Sequence, residues 1–550
     1  MPSDGRIPFR IRIGVTGHQD LELDPAVEQV IRGQIHRVRA VLPRTATEVQ
    51  LAIVSQLAEG ADRLLVRIVR AEARERDEEA RLEVILPFHR SNYAQLQRFS
   101  EESHRDFETL LAEATSVSEP AGADPPGDRA AAYESASRQL VGRSDVLIAL
   151  WDGGPSGGKG GTADTLLDAA ARLKPCIWIS TEGEPEVRDN FADASSYAFF
   201  REVETRAAAS AEAGRSPDDH AHGVLEALAA TFSMLAEFNR ERLPPDFQEH
   251  RERELGLRDG MSDWVAAPFM RATLLAARWQ RRFRWCSWVI FLFAMAAAAM
   301  LAVSLSWGEE STSWHWAEAG FLVLALAGLL IVRGAGLHRR WLSYRVLAER
   351  LRSAQYLAPT GVDFRRQARL EAVYVGQRSE DWLMRAFEEV WDRRPRVAGP
   401  ETLTGRQLEQ LKSQLADDWI AEQIRYHETA ARRHRRSHQI FTAAVATFFI
   451  ATVPFALLHA FHIAEHLSTF LTITLPAAGA SLGALLTVNQ HHALSERHAR
   501  MRSDLAVVRS TLLDANAETL GKASSEAARV IAQETGAWFG AMWFLDIEHP

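Results

Sequence analysis

Four apolar runs occupy the second half of the 550-residue chain, at Ser287–Ser306, Glu318–Val332, Ile440–His459 and Leu467–Val488. A helix needs about 20 residues to cross the hydrocarbon core of a bilayer, and most of these runs approach that length. Each is fenced by arginine on one side only. Arg278, Arg281, Arg282 and Arg284 precede the first run, and Arg333, Arg339 and Arg340 follow the second. Arg432, Arg433, Arg435 and Arg436 precede the third, and Arg497, Arg500 and Arg502 follow the fourth. The connectors inside the two pairs, Trp307–Ala317 and His462–His466, contain no Lys or Arg. By the positive-inside bias, both hairpin tips are expected outside, and the rest of the chain with both termini in the cytoplasm. Tryptophans at the run ends (Trp285, Trp288, Trp307, Trp314, Trp341) suit the lipid–water boundary better than the core of a soluble protein. Glu318 opens the shortest run and is expected at the outer interface, where water still reaches it.

Length allows about three domains. A formal charge of −9, with arginine concentrated beside the apolar runs, argues against general nucleic-acid binding. Two cysteines, Cys176 and Cys286, cannot build a disulfide framework, and Cys176 falls in a predicted buried strand, which suits a reducing compartment. The opening MPSDGRIPFR has no apolar core, so no secretory peptide is expected and the first span directs insertion.

Residues 9–180 alternate strand-like and helix-like segments. Strands are predicted at Phe9–Val15, apolar at alternate positions, and at Val49–Ser55, Leu82–Pro87, Val146–Trp151 and Cys176–Ser180. Helices are predicted through Ala61–Ala73 and from about Thr162 to Leu173. That spacing implies βαβ units: a Rossmann-like α/β domain over residues 1–180, with a mostly parallel sheet covered by helices on both faces. Near-continuous apolar strands such as VLIAL are what a doubly covered sheet requires. Residues 181–270 read as a helical connector, broken at Gly214–Pro217 and Pro244–Pro245. An α-helical membrane domain with four transmembrane helices follows, in two units at 271–400 and 401–550. These units form an internal repeat. Ala276-Ala277-Arg278-x-x-Arg281-Arg282 precedes the first hairpin and Ala430-Ala431-Arg432-x-x-Arg435-Arg436 the second, at the same phase. A long basic helix follows each hairpin, through Trp341–Leu357 and Ala493–Asn516, which points to duplication of one unit.

The chemistry of the first domain concentrates in three loops at the carboxyl ends of strands, where open α/β sheets place their ligands. A glycine-rich loop, from Trp151 and Asp152 through Gly157, Gly158, Lys159, Gly160, Gly161 and Thr162, lies between a strand and a helix. Residues without Cβ let backbone amides approach a phosphate, and the helix N-terminus adds its positive end. Thr162 can cap that helix or donate to a phosphate oxygen. Neither Walker A nor dinucleotide-fingerprint spacing is present. Gly14, Thr16, Gly17 and His18 form the second loop, where Gly17 opens space and Thr16 and His18 offer polar contacts; His18 serves equally well as a structural residue. Ser55, Glu59, Gly60 and Asp62 form the third, with Asp62 also suited to cap the next helix. No Cys/His set has metal spacing and no nucleophile–base pair is evident, so neither metal nor catalytic residues are assigned.

Together these loops resemble the SLOG family, the Rossmann-like group that includes the LOG phosphoribohydrolases and nucleotide-sensing domains of bacterial immunity proteins. The resemblance rests on IGVTGH (13–18), SQLAEGADRL (55–64), VILPF (84–88), Tyr93, SDVLIALWDG (144–153) and GGKGGTAD (157–164). It implies a nucleotide-derived ligand, of cyclic-nucleotide or ADP-ribose type, and no further cofactor. The LOG enzymes carry a catalytic Glu three residues after the signature Thr. Here that position is Thr165, and Asp164 lies one residue short. The departure favours binding over hydrolysis. The membrane half resembles the SLATT family of two-helix effectors, through its architecture, WLSYRVLAERLR (341–352) and DWIAEQIRYH (418–427). That resemblance implies a membrane-disrupting or pore-forming effector, held in check until a nucleotide signal binds.

Three functions compete at this stage. The first is a messenger-gated effector of antiphage defence in the bacterial inner membrane, whose partners are the nucleotide, the bilayer and further copies of the chain. The second is a membrane-anchored nucleoside or NAD hydrolase using Asp62, Glu59 or Asp164. The third is a regulated channel or transporter, which spans with almost no mid-membrane charge argue against.

Overall fold

The computed structural model describes residues 2–19, 25–78, 80–97, 99–120, 128–155, 158–207, 224–256, 263–307, 313–362, 364, 381–395, 397 and 399–543. Two compact units emerge, one formed by Arg6–Glu241 and the other by Met1–Gly5 with Arg242–Pro550.

The first unit is built on a seven-stranded sheet: β1 (Phe9–Gly17), β2 (Val49–Ser55), β3 (Ala80–Ile85), β4 (Ser116–Ser118), β5 (Val146–Trp151), β6 (Cys176–Ser180) and β7 (Val187–Asp189). Strand order is β4-β3-β2-β1-β5-β6-β7, parallel throughout except for the antiparallel edge strand β7. The α/β, mostly parallel architecture is the one the alternating pattern predicts. Among the described residues, eight helices belong to this unit: α1 (Pro25–Ala40), α2 (Ala61–Arg74), α3 (Arg90–Leu96), α4 (Glu101–Ala112), α5 (Arg129–Arg143), α6 (Thr162–Ala171), α7 (Asp193–Ala207) and α8 (Val224–Arg240). Every side chain of β5 is buried, as a strand covered on both faces must be. Alternation in β1 does not mean a wet face: Arg10 and Arg12 are each 3% exposed. Arg12 Nε lies 3.1 Å and Arg10 Nη1 3.6 Å from Glu83 Oε1, so both guanidinium groups share one buried carboxylate across the sheet.

The unit runs on past residue 180 because the sheet still has apolar surface to cover. β7 pairs on β6 and α7 packs on α6. From α8, Phe232 stacks on Phe9 at 5.7 Å. Asn239 clips the chain ahead of β1, its Oδ1 accepting from Ile7 N at 2.9 Å and its Nδ2 donating to Ile7 O at 2.7 Å. The break at Gly214–Pro217 lies outside the described residues.

The second unit is helical: α9 (Phe247–Gly256), α10 (Asp263–Trp307), α11 (Ser313–Gly334), α12 (Leu337–Leu357), α13 (Asp381–Trp391), α14 (Gly405–Ser413), a π-helical stretch (Gln414–Ile420), α15 (Ala421–Ala460), α16 (Glu465–Asn489), α17 (His491–Asp514) and α18 (Leu520–Trp543). Among the described residues, four helices are long and apolar enough to cross a membrane, and they carry the four runs. The second run, short as a sequence pattern, sits in a 22-residue helix of about 33 Å at 1.5 Å rise per residue, which spans a bilayer. Almost none of the apolar stretches is buried: Trp285, Leu292, Leu330, Ile331, Ile440, Ile450 and Val453 are all exposed. So broad an apolar belt on a helical bundle is made for lipid.

The two hairpins and their flanking helices follow the same order of elements. In each copy a basic helix runs unbroken into the apolar run (α10, α15), a second apolar helix returns (α11, α16), and a left-handed residue redirects the chain into a basic helix (α12, α17). That residue is Gly336 in the first copy, at φ 55°, and Gln490 in the second, at φ 43°. Within each hairpin a glycine meets the partner helix. A Cβ on Gly328 would lie 2.8 Å from Ile290, and one on Gly479 would lie 3.1 Å from Phe449. Both connectors lead to the same end of the bundle. His466 bonds the Ser306 carbonyl there, and Trp307 lies 5.5 Å from Phe470. Within the first connector, residues 308–312 lie outside the described set.

Candidate functional site

Connection order fixes where a ligand would lie. The chain leaves β1 outward through β2, β3 and β4, then returns to β5 on the other flank of β1, which makes β1/β5 the switch point of the sheet. The loops after β1 and β5 meet there, and the loop after β2 lies alongside.

His18 follows β1 and its Nε2 lies 2.9 Å from Asp152 Oδ1 and 3.2 Å from Asp152 N, tying the β1 loop to the glycine-rich loop after β5. Burial pushes the Asp152 carboxyl up, but hydrogen bonds from Gly154 N–H (2.8 Å) and His18 outweigh it and hold the group below the usual carboxylate range. The β1 and β2 loops also cross closely. His18 O accepts from Ala61 N at 3.0 Å, and Gly60 has φ 78° with Gln19 O only 2.0 Å from where a Cβ would stand. Gly14 and Gly17 likewise leave no room beside them. A Cβ would meet Ser144 Oγ at 2.1 Å in the first case and Ala61 Cβ at 2.4 Å in the second. Thr16 is half-buried and paired in register with Ala149.

In the third loop, Asp62 is 4% exposed. Its carboxylate accepts from Ser55 Oγ at 3.1 Å and Gln56 N at 3.2 Å, so it organises the β2 loop instead of facing a ligand. Burial lifts its pKa to about 7, against the lowering effect of those same bonds. Glu59 and Gly60, with Arg63, Arg67, Ser100 and Asp106, line a groove of about 600 Å3 beside the loop.

The glycine-rich loop is more self-contained than its composition implies. Gly157 lies outside the described residues. Gly160 N donates to Asp164 Oδ2 at 3.2 Å, Gly161 N to Gly158 O at 3.1 Å, and Gly154 N to Asp152 Oδ1. Two of those three acceptors are carboxylates of the chain itself, so an incoming phosphate would replace like with like. Gly160 has φ 79° and packs on α5, where a Cβ would fall 2.6 Å from the Tyr133 carbonyl carbon. Lys159 is exposed. Gly161, not Thr162, is the N-cap of α6. Thr165 is buried, its hydroxyl bonded to Gly161 O at 2.8 Å. Trp151 is 1% exposed, packed at a tilt against Trp178 with ring centroids 4.7 Å apart and its Nε1 donating to Gly154 O; it belongs to the core.

Residues the motifs did not single out complete the rim. Gln19 Nε2 donates to Gln97 Oε1 at 3.0 Å, and Gln97 Nε2 to the Tyr133 hydroxyl at 2.8 Å. Gln56 Nε2 donates to Ser137 Oγ, which donates to Gly160 O. Amides and hydroxyls of this kind can read a base or ribose, yet apart from Gln56, which lies within SQLAEGADRL (55–64), no local pattern marks them, since they come from four separate segments. Among the described residues, no group of three or more His, Cys, Asp or Glu could hold a metal ion.

Residues 416–538 match the family described as the SMODS and SLOG-associating 2TM effector domain 1. The match covers the π-helical stretch, the second hairpin and most of α18. No curated protein matches the chain. With four apolar helices and a two-transmembrane effector domain, this is a membrane-associated protein carrying an effector module.

Proposed function

We propose that the chain is a nucleotide-gated membrane effector of bacterial antiphage defence, with a SLOG-like sensor in the first unit and two SLATT-like units in the second. The observation that carries this reading is the match over 416–538 to an effector family whose very description pairs it with SLOG domains. Its counterpart is an α/β unit with a glycine-rich loop at the switch point of its sheet. A nucleotide-derived messenger bound at the β1 and β5 loops displaces Asp164 from Gly160 N, copies of the chain associate, and the spans breach the inner membrane. The ligand shifts a population and must favour the assembled state by several kcal/mol. Hydrolysis has less support: Asp62 is enclosed, Asp164 is bonded to the loop, and Thr165 carries no acid.

The test is purified protein in liposomes challenged with a panel of cyclic oligonucleotides and ADP-ribose derivatives. Vesicles should stay tight alone and release small dye with one of these ligands. Gly161→Asp should abolish that response without loss of insertion, since it brings a carboxylate to the mouth of α6. Turnover of a panel member at ~1–1000 per second, with no leak at any concentration, would establish the hydrolase instead.

A further inference from the structure

Helices α15 and α17 meet along a seam of histidine that ends where the apolar run of α15 begins. His427 and His434 are seven residues apart on α15, and His491 and His498 are seven apart on α17, so each pair lies on one helix face. His427 Nδ1 is 2.8 Å from His498 Nδ1, and His434 Nδ1 is 2.9 Å from His491 Nδ1. The His434 and His498 rings stack at 5.7 Å, which joins the two contacts into one array. His438 and His492 lie edge to face at 5.1 Å further along.

A contact between two Nδ1 atoms at 2.8 Å holds a single hydrogen. One imidazole donates its Nδ1–H and the other accepts at a bare Nδ1. When both rings are protonated, two N–H groups point at each other across that gap, and the helices must separate. The surroundings do not rescue the charged pair. Burial drives His427, His434 and His498 down to about 4, and His491 down as well. Around the array, α10 contributes Arg284, α12 Arg345 and Glu349, α15 Tyr426 and Arg433, α17 Arg497, and α18 Glu534. The two carboxylates are already taken, Glu349 by Arg345 at 3.2 Å and Glu534 by Arg497 at 3.1 Å. The Tyr426 hydroxyl accepts from Arg345. A cavity of about 170 Å3 adjoins the seam, so packing leaves the helices space to part.

We infer that the two histidine pairs are a proton-operated clasp between α15 and α17, closed while each pair shares one proton and released when both of its rings are charged. No third His, Cys, Asp or Glu joins either pair as a metal site among the described residues, which leaves the proton as the ion to which this geometry responds. The consequence reaches the membrane because α17 starts at His491, directly after the left-handed turn at Gln490 that ends the apolar helix α16. Release of the clasp frees the second hairpin from its cytosolic brace, independently of any messenger.

The direction with pH follows from the shift. An imidazole in an opened seam keeps its ordinary value of 6.5, against about 4 in the closed one. The clasp is therefore at full strength above pH 6.5 and is lost as pH falls from 6.5 towards 4. Each pH unit in that window favours the open seam about tenfold per proton taken up.

The experiment is hydrogen exchange on the full-length protein in lipid nanodiscs from pH 7 to about 4.5, corrected for intrinsic exchange. Amides of α15 before Ile440 and of α17 up to Leu505 should lose protection at least tenfold per unit below pH 6.5, while β1 and β2 hold theirs. Replacing all four rings, His427→Gln/His434→Gln/His491→Gln/His498→Gln, keeps polar contacts without a titrating group and should flatten the profile. Should that variant fail to fold, His427→Gln/His434→Gln, which leaves one ring in each pair, should about halve the slope. Protection that stays flat to pH 4.5 in the natural sequence, or that falls equally in the variants, overturns the clasp.

Discussion

Asp62→Asn is the most quantitative probe of the α/β unit. The natural carboxyl is 4% exposed and touches Ser55 Oγ and the Gln56 amide, with no cation bonded to it. Burial lifts its pKa from 3.8 to about 7. An acid with a raised folded value stabilises fully below its unfolded value, and that contribution disappears as pH rises through the folded one. About three units at 1.4 kcal/mol each give a loss of ~4 kcal/mol between pH 4 and pH 7. The asparagine variant has no such slope, and its side-chain oxygen still accepts from Ser55 and Gln56. It should be more stable than the natural sequence by a few kcal/mol above pH 7. Near pH 4 it should match it, or trail by ~1 kcal/mol for a weakened hydrogen bond. Cys176 supplies the assay. It is fully enclosed in β6, where burial pushes its thiol up, so it reacts only when the sheet opens. Trapping rates in a Cys286→Ser background, normalised to a free peptide thiol at each pH, report the opening free energy. A natural-sequence profile that is flat from pH 5 to 8, or parallel to that of the variant, refutes the argument.

Three other outcomes follow from local geometry. Gln490→Gly should raise stability by about 1 kcal/mol, because a residue with Cβ now occupies the left-handed region at φ 43°, and thermal unfolding in detergent measures it. Gly160→Ala should cost on the order of 3 kcal/mol, combining the positive φ with a Cβ 2.6 Å from the backbone of Tyr133, and denaturant unfolding of the α/β unit checks it. Reporter fusions at Gly308 and His466 should read as external and fusions at Val390 and the C-terminus as cytoplasmic; a cytoplasmic signal at Gly308 removes the four-span topology.

What the sequence disclosed and what it withheld divide along locality. Val49–Ser55, Val146–Trp151 and Cys176–Ser180 are strands with the boundaries their patterns predict, since a buried strand carries its own apolar period. β4 and β7 have three residues each, too few for any period to show. The place of α8 in the first unit depends on Asn239 clasping Ile7 from 232 residues away, which no local pattern announces. The same holds at the crevice. Its glycines were legible, but not their use: Gly14 and Gly17 make room for Ser144 and Ala61, and the amides of Gly154 and Gly160 are held by Asp152 and Asp164. Trp151 reads as a ligand contact until Trp178, a neighbour only across the sheet, is seen to cover it.

How the spans could open a membrane is constrained by where their polar atoms point. The hydroxyls of Thr447, Thr452, Thr472 and Thr474 all donate to carbonyls of their own helix one turn back. A hydroxyl used in this way has no hydrogen left to donate to a passing anion, and its oxygen is held against its own helix backbone. Apart from Glu318 at the outer end of the second run, the four apolar runs contain no Asp, Glu, Lys or Arg, and their large side chains stand exposed. A selective pathway needs rings of carbonyls or charges, and these helices offer neither. The leak proposed above should therefore depend on solute size and not on charge. In liposomes with an activating ligand, anionic and cationic dyes of similar size should escape at rates within about twofold of each other, whereas charged pore walls change such ratios by an order of magnitude or more. A large and reproducible preference for one sign would place charged groups on the wall and overturn this account of the spans.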